Sequence, residues 1–272
     1  MENIRELVRG RRSVRTFDGS KINAEDFKKL SEFMEKLDNP YGIPVEFRML
    51  DAKEHKLSSP VISGTNLYVG VKAARTAHVE EAVGYSMELL VLYAQSLGIG
   101  TVWIGGTMDR PAFERAMELE ENEIMPCVSP LGYPAKKMSV KEGLMRKAVK
   151  ADSRLPFETL FFDKTFDMPF TEEKAGQLTE ALETVRWAPS AVNKQPWRIV
   201  VDKDAVHFYL KRNKGFVSDA AGDMQKIDLG IALCHFALTA QEGGIETDFQ
   251  INDPGIKTDA DTEYIASYRI DK

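Results

Sequence analysis

Two strings of residues in this chain have the composition of a binding site. The first, Arg11-Arg12-Ser13-Val14-Arg15, directly follows a short helix-forming stretch and precedes Phe17. Guanidinium groups are planar, permanently charged donors that match phosphate oxygens two at a time, and a serine hydroxyl adds a neutral donor. A basic turn after a helix also complements the helix dipole, so alone the string indicates only an affinity for negative charge. Arg5 and Arg9 extend the cluster and Glu2 and Glu6 dilute it, which suits a small anion better than a polymer. The second string, Trp187-Ala188-Pro189-Ser190-Ala191-Val192-Asn193-Lys194-Gln195-Pro196-Trp197, lies between a predicted helix and a predicted strand. Its small residues allow backbone to approach a planar ligand. Asn193 and Gln195 offer donors and acceptors suited to the edge of a heterocycle, and the prolines stiffen the turn.

The elements that must position these strings follow from periodicity. Residues 2–9 and 24–37 read as helices, the second capped by Asn23 ahead of Glu25 and Asp26. Strands are expected at 45–50 and 67–71. A strongly apolar helix over 79–97 stops at Gly98, and a strand or turn at 101–104 runs into Gly105-Gly106. A helix near 111–119 and a strand around 127–132 complete this part, and the lysine-rich stretch 136–156 reads as an extended surface connection. The pattern then restarts: an amphipathic helix at 171–186, paired strands at 198–202 and 206–210, and a helix at 224–241 that is apolar nearly all round.

That restart has a residue-level signature. Arg15-Thr16-Phe17-Asp18 returns as Lys164-Thr165-Phe166-Asp167. The stretch from Gly84 to Thr101 aligns without a gap with Gly230 to Thr247, including Ala94-Gln95 against Ala240-Gln241 and Gly98-Ile99 against Gly244-Ile245. The expectation is a tandem duplication, residues 1–150 and 151–272, packed about a pseudo-two-fold axis as two subunits of an isologous dimer would be, with the two apolar helices at the axis. Opposite Arg11, Arg12, Ser13 and Arg15 stand Leu160, Phe161, Phe162 and Lys164, so only the first half keeps a basic clamp.

Composition narrows the class. At 43% hydrophobic and 29% charged residues the chain reads as globular, and a net charge of -6 argues against a nucleic-acid partner. Only Cys127 and Cys234 are present, far apart, which suits a reducing compartment without a disulfide framework. With no apolar signal core at the start and no long uninterrupted apolar stretch, the expectation is a cytoplasmic protein with no membrane partner. His55, His78, His207 and His235 match no metal spacing, and Met, Phe and Trp residues outside the second string are assigned to core.

Together with Leu97-Gly98-Ile99-Gly100-Thr101-Val102-Trp103-Ile104-Gly105-Gly106, Leu131-Gly132-Tyr133-Pro134 and Ser153-Arg154-Leu155-Pro156-Phe157-Glu158, the two strings resemble the nitroreductase family of flavin enzymes, specifically its tandem-duplicated single-chain type. The resemblance implies an α+β fold, two half-repeats forming an intrachain pseudo-dimer with antiparallel-rich sheets around the central helices. It implies FMN as cofactor, one per chain between the halves, with NADH or NADPH as donor and hydride passing through flavin N5 to a small-molecule acceptor such as a nitroaromatic or quinone. The flavin carries the redox chemistry, so no catalytic side chain and no metal is implied.

By the same resemblance Arg11 and Ser13 hold the phosphate with Arg154, and Arg12 contacts the phosphate or ribityl side. Arg15 faces the pyrimidine edge, Pro189, Ser190, Ala191 and Asn193 line the ring, and Gly105 and Gly106 present backbone N-H groups. The stretch around Arg154 departs from the family pattern in having Asp152 where a second basic residue is usual, a gap for Lys147 or Lys150 to fill. A flavin carrier or sensor without turnover, and reductive dehalogenation on the same fold, stand as alternatives. A monomer is expected, since the chain already contains its own pseudo-dimer, with further self-association left open.

Overall fold

The computed structural model describes residues 1–270. In chain order, residues 1–150 build helices α1 (Ile4–Gly10) and α2 (Ala24–Met34), strands β1 (Glu46–Asp51) and β2 (Leu67–Ala74), and helices α3 (Val79–Ser96) and α4 (Arg110–Ala116). Strands β3 (Glu123–Ile124) and β4 (Val128–Leu131) and helix α5 (Val140–Ala148) follow. The remainder builds α6 (Phe157–Leu160), β5 (Phe161–Asp163), α7 (Glu172–Ala175), α8 (Thr179–Trp187), β6 (Trp197–Val201) and β7 (Ala205–Lys211). The hairpin β8 (Val217–Ser218) and β9 (Gly222–Asp223) leads into α9 (Met224–Glu242), β10 (Thr247–Gln250) and β11 (Thr262–Ile270).

The architecture is α+β with antiparallel-rich sheets. In the first sheet β2 pairs antiparallel with β1, β3 and β4. The second runs β10-β11-β7-β6-β5, antiparallel except for the parallel pair β5 and β6.

Between the sheets α3 and α9 cross at two glycines that correspond in the sequence repeat. A Cβ on Gly84 would sit 2.2 Å from the Ile227 carbonyl oxygen, and one on Gly230 would sit 2.1 Å from that of Glu81. Each glycine thus makes room for the turn before its counterpart, the reciprocity of a two-fold contact. Both helices end in the same way. Gly98 and Gly244 each adopt φ +72, and Ile99 N-H and Ile245 N-H reach back to the Ala94 and Ala240 carbonyls at 2.9 Å. A left-handed residue there lets the chain fold back onto the last helical turn without a Cβ clash.

Three sequence expectations are corrected. The first amphipathic helix, capped by Asn23 Oδ1 accepting from Asp26 N-H at 2.8 Å, stops at Met34 rather than 37. The expected helix over 171–186 is broken at Gly176, whose φ of +55 separates α7 from the 3-10 turn leading into α8. The stretch 136–156 is not an extended connection, for α5 forms within it under a Ser139 cap, whose Oγ accepts from Glu142 N-H at 3.2 Å. Arg5 and Arg9 tie α1 to α8, through Glu180 at 2.8 Å and Glu183 at 3.2 Å, and Arg9 also lies over the Trp187 ring. No described helix is long and apolar enough to cross a membrane.

Candidate functional site

A cavity of about 360 Å³ opens between α9, α5, the segment after α1, the 103–107 turn and the loop between α8 and β6. Its size falls within the range of small-molecule pockets, roughly 300–1,000 Å³. Arg11, Ser13, Arg15, Gly105, Gly106, Arg154, Pro189, Ser190, Ala191 and Asn193 all line it; of the residues that the resemblance assigns to the cofactor, Arg12 alone does not.

The basic segment is fixed by short strand-like contacts. Val14 N-H donates to the Thr101 carbonyl at 2.9 Å, and Ser63 N-H donates to that of Arg15 at 3.0 Å. Gly100 permits the first contact, because a Cβ there would come within 2.9 Å of the Val14 side chain.

Arg11 is buried, its side chain only 7% exposed, and its Nε and one terminal nitrogen have no hydrogen-bond partner. Burial pushes its pKa down, Glu88 opposes the shift and Arg146 reinforces it. Arg154 stacks over the Trp187 ring and donates to the Ala151 and Ser153 carbonyls at 2.9 and 2.8 Å, leaving Nε without a partner. Burial, then Arg11, push the Arg154 pKa down to about 10. Two desolvated, incompletely paired guanidinium groups that line one cavity, the charge of Arg154 disfavoured by that of Arg11, suit an anion bound there. Arg15 is likewise lowered, by burial first and against the pull of Glu142.

Arg12 instead donates to Glu142 on α5 at 2.9 Å, and the same carboxylate accepts the Arg15 N-H at 3.3 Å. Since Glu142 is itself buried, the pair fastens α5 as one wall of the cavity. Arg12→Ala is expected to cost about 2 kcal/mol of stability, because a buried carboxylate loses its charged partner, while weakening anion binding far less than loss of Arg11. Denaturant melts and anion titrations on the two variants check that ranking.

The loop between α8 and β6 is strained. Val192, Asn193 and Gln195 adopt φ of 44, 56 and 51, a region disfavoured for side-chain-bearing residues and most of all for β-branched valine. Its own polar groups hold it. Ser190 Oγ accepts from Gln195 N-H at 2.9 Å, Gln195 Oε1 accepts from Leu155 N-H at 2.9 Å, and Asn193 Nδ2 donates to the Lys150 and Ser153 carbonyls at 2.8 and 3.1 Å. Both amides are therefore committed to the loop rather than to a ligand edge, and Gln195 does not line the cavity. Lys147 and Lys150 do not line it either, so Arg154 has no lysine substitute there. Of the two glycines, Gly106 has nothing within 4 Å of a built Cβ, whereas one on Gly105 would meet the Met224 side chain at 2.6 Å.

Several lining residues lie outside the set the sequence singles out: Trp103, Cys127, Met145, Phe216, Met224 and Asp228. The aromatic and methionine residues among them read as core in the sequence. Cys127 is buried and free, with its thiol pushed up to about 12, so it stays protonated at neutral pH. Asp228 is the one carboxyl among the described residues that faces the cavity. Both its oxygens accept the Ala191 N-H, at 3.0 and 3.2 Å, and burial raises its pKa well above the usual carboxylate range.

A carboxyl whose pKa rises on folding stabilises the fold fully below its unfolded pKa and loses that contribution as pH rises through the folded value. Asp228→Asn keeps an acceptor for Ala191 and cannot ionise. Its melting temperature should exceed that of the wild type at pH 8, with the advantage shrinking as pH falls towards 4; a pH-independent difference would show that Asp228 carries no such linkage. Among the described residues no group of three or more His, Cys, Asp or Glu is placed to hold a metal ion.

The fold and this cavity define an α+β protein with a preformed cavity whose walls come from both the N-terminal and the C-terminal parts of the chain. Residues 3–240 match the family described as "Putative TM nitroreductase", and the chain belongs to that family. It is similar to a structure described as a "putative nitroreductase" from Thermotoga maritima, at 20% identity and TM-score 0.62, covering 98% of this chain and 93% of that one. Two further structures are an FMN-dependent nitroreductase from Clostridium difficile (18% identity, 52% and 94% covered, TM-score 0.41) and a "Putative NADH Oxidase" from Clostridium acetobutylicum (23% identity, 48% and 89% covered, TM-score 0.42). No curated protein matches the chain.

Proposed function

We propose that this chain is an FMN-dependent oxidoreductase that takes electrons from NADH or NADPH and delivers them to a small-molecule acceptor such as a nitroaromatic or quinone, with one FMN per chain bound between residues 1–150 and 151–272. The observation that supports it is the cavity itself, lined from different parts of the chain by Arg11 and Arg154, two desolvated and incompletely paired guanidinium groups, and otherwise by Trp103, Pro189, Ala191, Met224 and Ile227. Membership of the nitroreductase family supports the same reading.

Bound FMN would supply the two-electron chemistry, accepting hydride from the nicotinamide and passing it on. The side chains bind and orient. Arg11, Arg154 and the Ser13 hydroxyl hold the phosphate, replacing its water shell with fixed donors. Pro189, Ser190, Ala191 and Asn193, anchored through Asp228, form the second half's side of the planar site, and Gly105 and Gly106 leave backbone accessible opposite. The Arg15 guanidinium, itself on the cavity wall, favours negative charge developing on a reduced ring. No side chain of this set needs to act as nucleophile or base.

The test is anaerobic. FMN-loaded protein mixed with NADH or NADPH should lose its visible flavin absorbance and regain it on addition of a quinone or nitroarene. A flavin that neither nucleotide bleaches would reduce the protein to a carrier or sensor.

A further inference from the structure

Behind the cavity two buried ionisable residues that line no part of it stand next to Arg11. Glu88 on α3 and His235 on α9 are both wholly buried, and Glu88 Oε1 stands 2.9 Å from His235 Nε2. The other Glu88 oxygen accepts from the Trp103 indole N-H at 3.1 Å. Arg11 comes next, with Nε 3.9 Å from Glu88 Oε1, within ion-pair range and beyond hydrogen-bond range. The remaining charged or titratable groups facing this cluster are Cys234 on α9, whose thiol burial and Glu88 push up, Arg146 on α5 and Arg154.

The hydrogen bonds fix where protons stand. His235 Nδ1 is 2.8 Å from the Thr184 carbonyl, which only accepts, so Nδ1 carries a hydrogen. With Nδ1 occupied, a 2.9 Å contact between Nε2 and a carboxylate oxygen requires a further proton between them, since a bare Nε2 lone pair would face a bare oxygen. The pair therefore shares that proton and is neutral as a unit, whichever partner is drawn as its owner. A neutral pair does not discharge Arg11. Were Glu88 alone, its carboxylate would be the natural partner of a buried guanidinium and would draw it away from the cavity.

We infer that His235 is a positioning residue: by sharing a proton with Glu88 it keeps that carboxylate from pairing with Arg11, and so leaves the Arg11 guanidinium free for the phosphate of a flavin mononucleotide. The role rests on the function proposed above and extends it to a residue that touches no ligand. It also requires both halves, because Arg11 and Glu88 come from one and His235 from the other.

The inference makes variants of two adjacent residues behave oppositely. His235→Gln leaves a donor to Glu88 but no shared proton, so Glu88 becomes a full counter-ion to Arg11. Glu88→Gln removes the counter-ion and retains an acceptor for Trp103. Dissociation constants for FMN and for riboflavin, which lacks the phosphate, are measured on wild type, H235Q, E88Q and the double variant at neutral pH, with circular dichroism confirming folding.

H235Q should weaken FMN binding about tenfold and riboflavin binding little, E88Q should bind FMN at least as tightly as wild type, and E88Q placed on H235Q should restore FMN affinity. A purely structural pair predicts that all three variants lose both ligands to similar degrees, and that result overturns the inference. So does an H235Q variant indistinguishable from wild type, with the flavin reading left standing. Wild-type protein that binds neither FMN nor riboflavin overturns both.

Discussion

Replacing Arg11 by methionine is expected to abolish tight FMN binding while making the flavin-free protein more stable. The side chain is 7% exposed, two of its nitrogens have no partner, and the nearest carboxylate is 3.9 Å away and already engaged by Trp103 and His235. A buried cation so poorly compensated costs free energy in the empty site, and an apolar side chain of similar length removes that cost, a gain of about 1–2 kcal/mol. Binding moves the other way. A charge-assisted hydrogen bond contributes roughly 1.5–3 kcal/mol, so losing the guanidinium should cost about 3 kcal/mol, roughly 100-fold in FMN affinity. Flavin fluorescence titration and urea melts on one preparation measure both. A variant that loses stability and keeps FMN would show that Arg11 is a structural cation.

The second large effect is at the helix crossing. Gly230→Ala places a methyl 2.1 Å from the Glu81 carbonyl oxygen and 2.8 Å from the Tyr85 nitrogen, both backbone atoms that cannot rotate aside. Relief requires α3 and α9 to separate, and with them the two sides of the cavity. The expected loss is about 3 kcal/mol or more, at the upper end of what overpacking does, and Gly84→Ala should match it because its contact is the reciprocal one. Since both substitutions force the same separation, the double variant should lose less than the two single losses combined. Gly98→Ala is the control: no atom lies within 4 Å of its Cβ, so only its φ of +72 opposes the change, at about 1 kcal/mol. Equal losses at Gly98 and Gly230 would remove the crossing as the cause.

That α3 and α9 pack against each other was legible in the sequence because both helices are strongly apolar and need burial on every side, whereas their contact through Gly84 and Gly230 was not, since a glycine in a helix does not show what approaches it. The close contacts of the basic string and of the 187–197 loop were legible only as residue types. That Arg12 turns to Glu142 depends on α5, which lysine-rich composition concealed and which forms because Ser139 caps it and Glu142 buries beneath it. Asn193 and Gln195 looked like ligand-facing amides, but a loop with three left-handed residues needs them to hold its own backbone.

Asp228 carried a usable signal, a single carboxylate on the apolar face of a buried helix, where a charge needs a reason. Trp103, Met145 and Met224 carried none, since an apolar side chain that walls a cavity has the same pattern as one that fills a core. Strands β10 and β11 went unread because β11 buries four consecutive residues, Ile265 to Tyr268, so alternation between faces is lost.

The proposed flavin site is single and composite, its two sides coming from the two halves of one chain. It is tested most directly by titrating flavin-free protein with FMN to saturation, in parallel with riboflavin, and counting flavin per chain from absorbance. A composite site should saturate at one FMN per chain and bind riboflavin markedly more weakly. Saturation near two, or no difference between FMN and riboflavin, would contradict it.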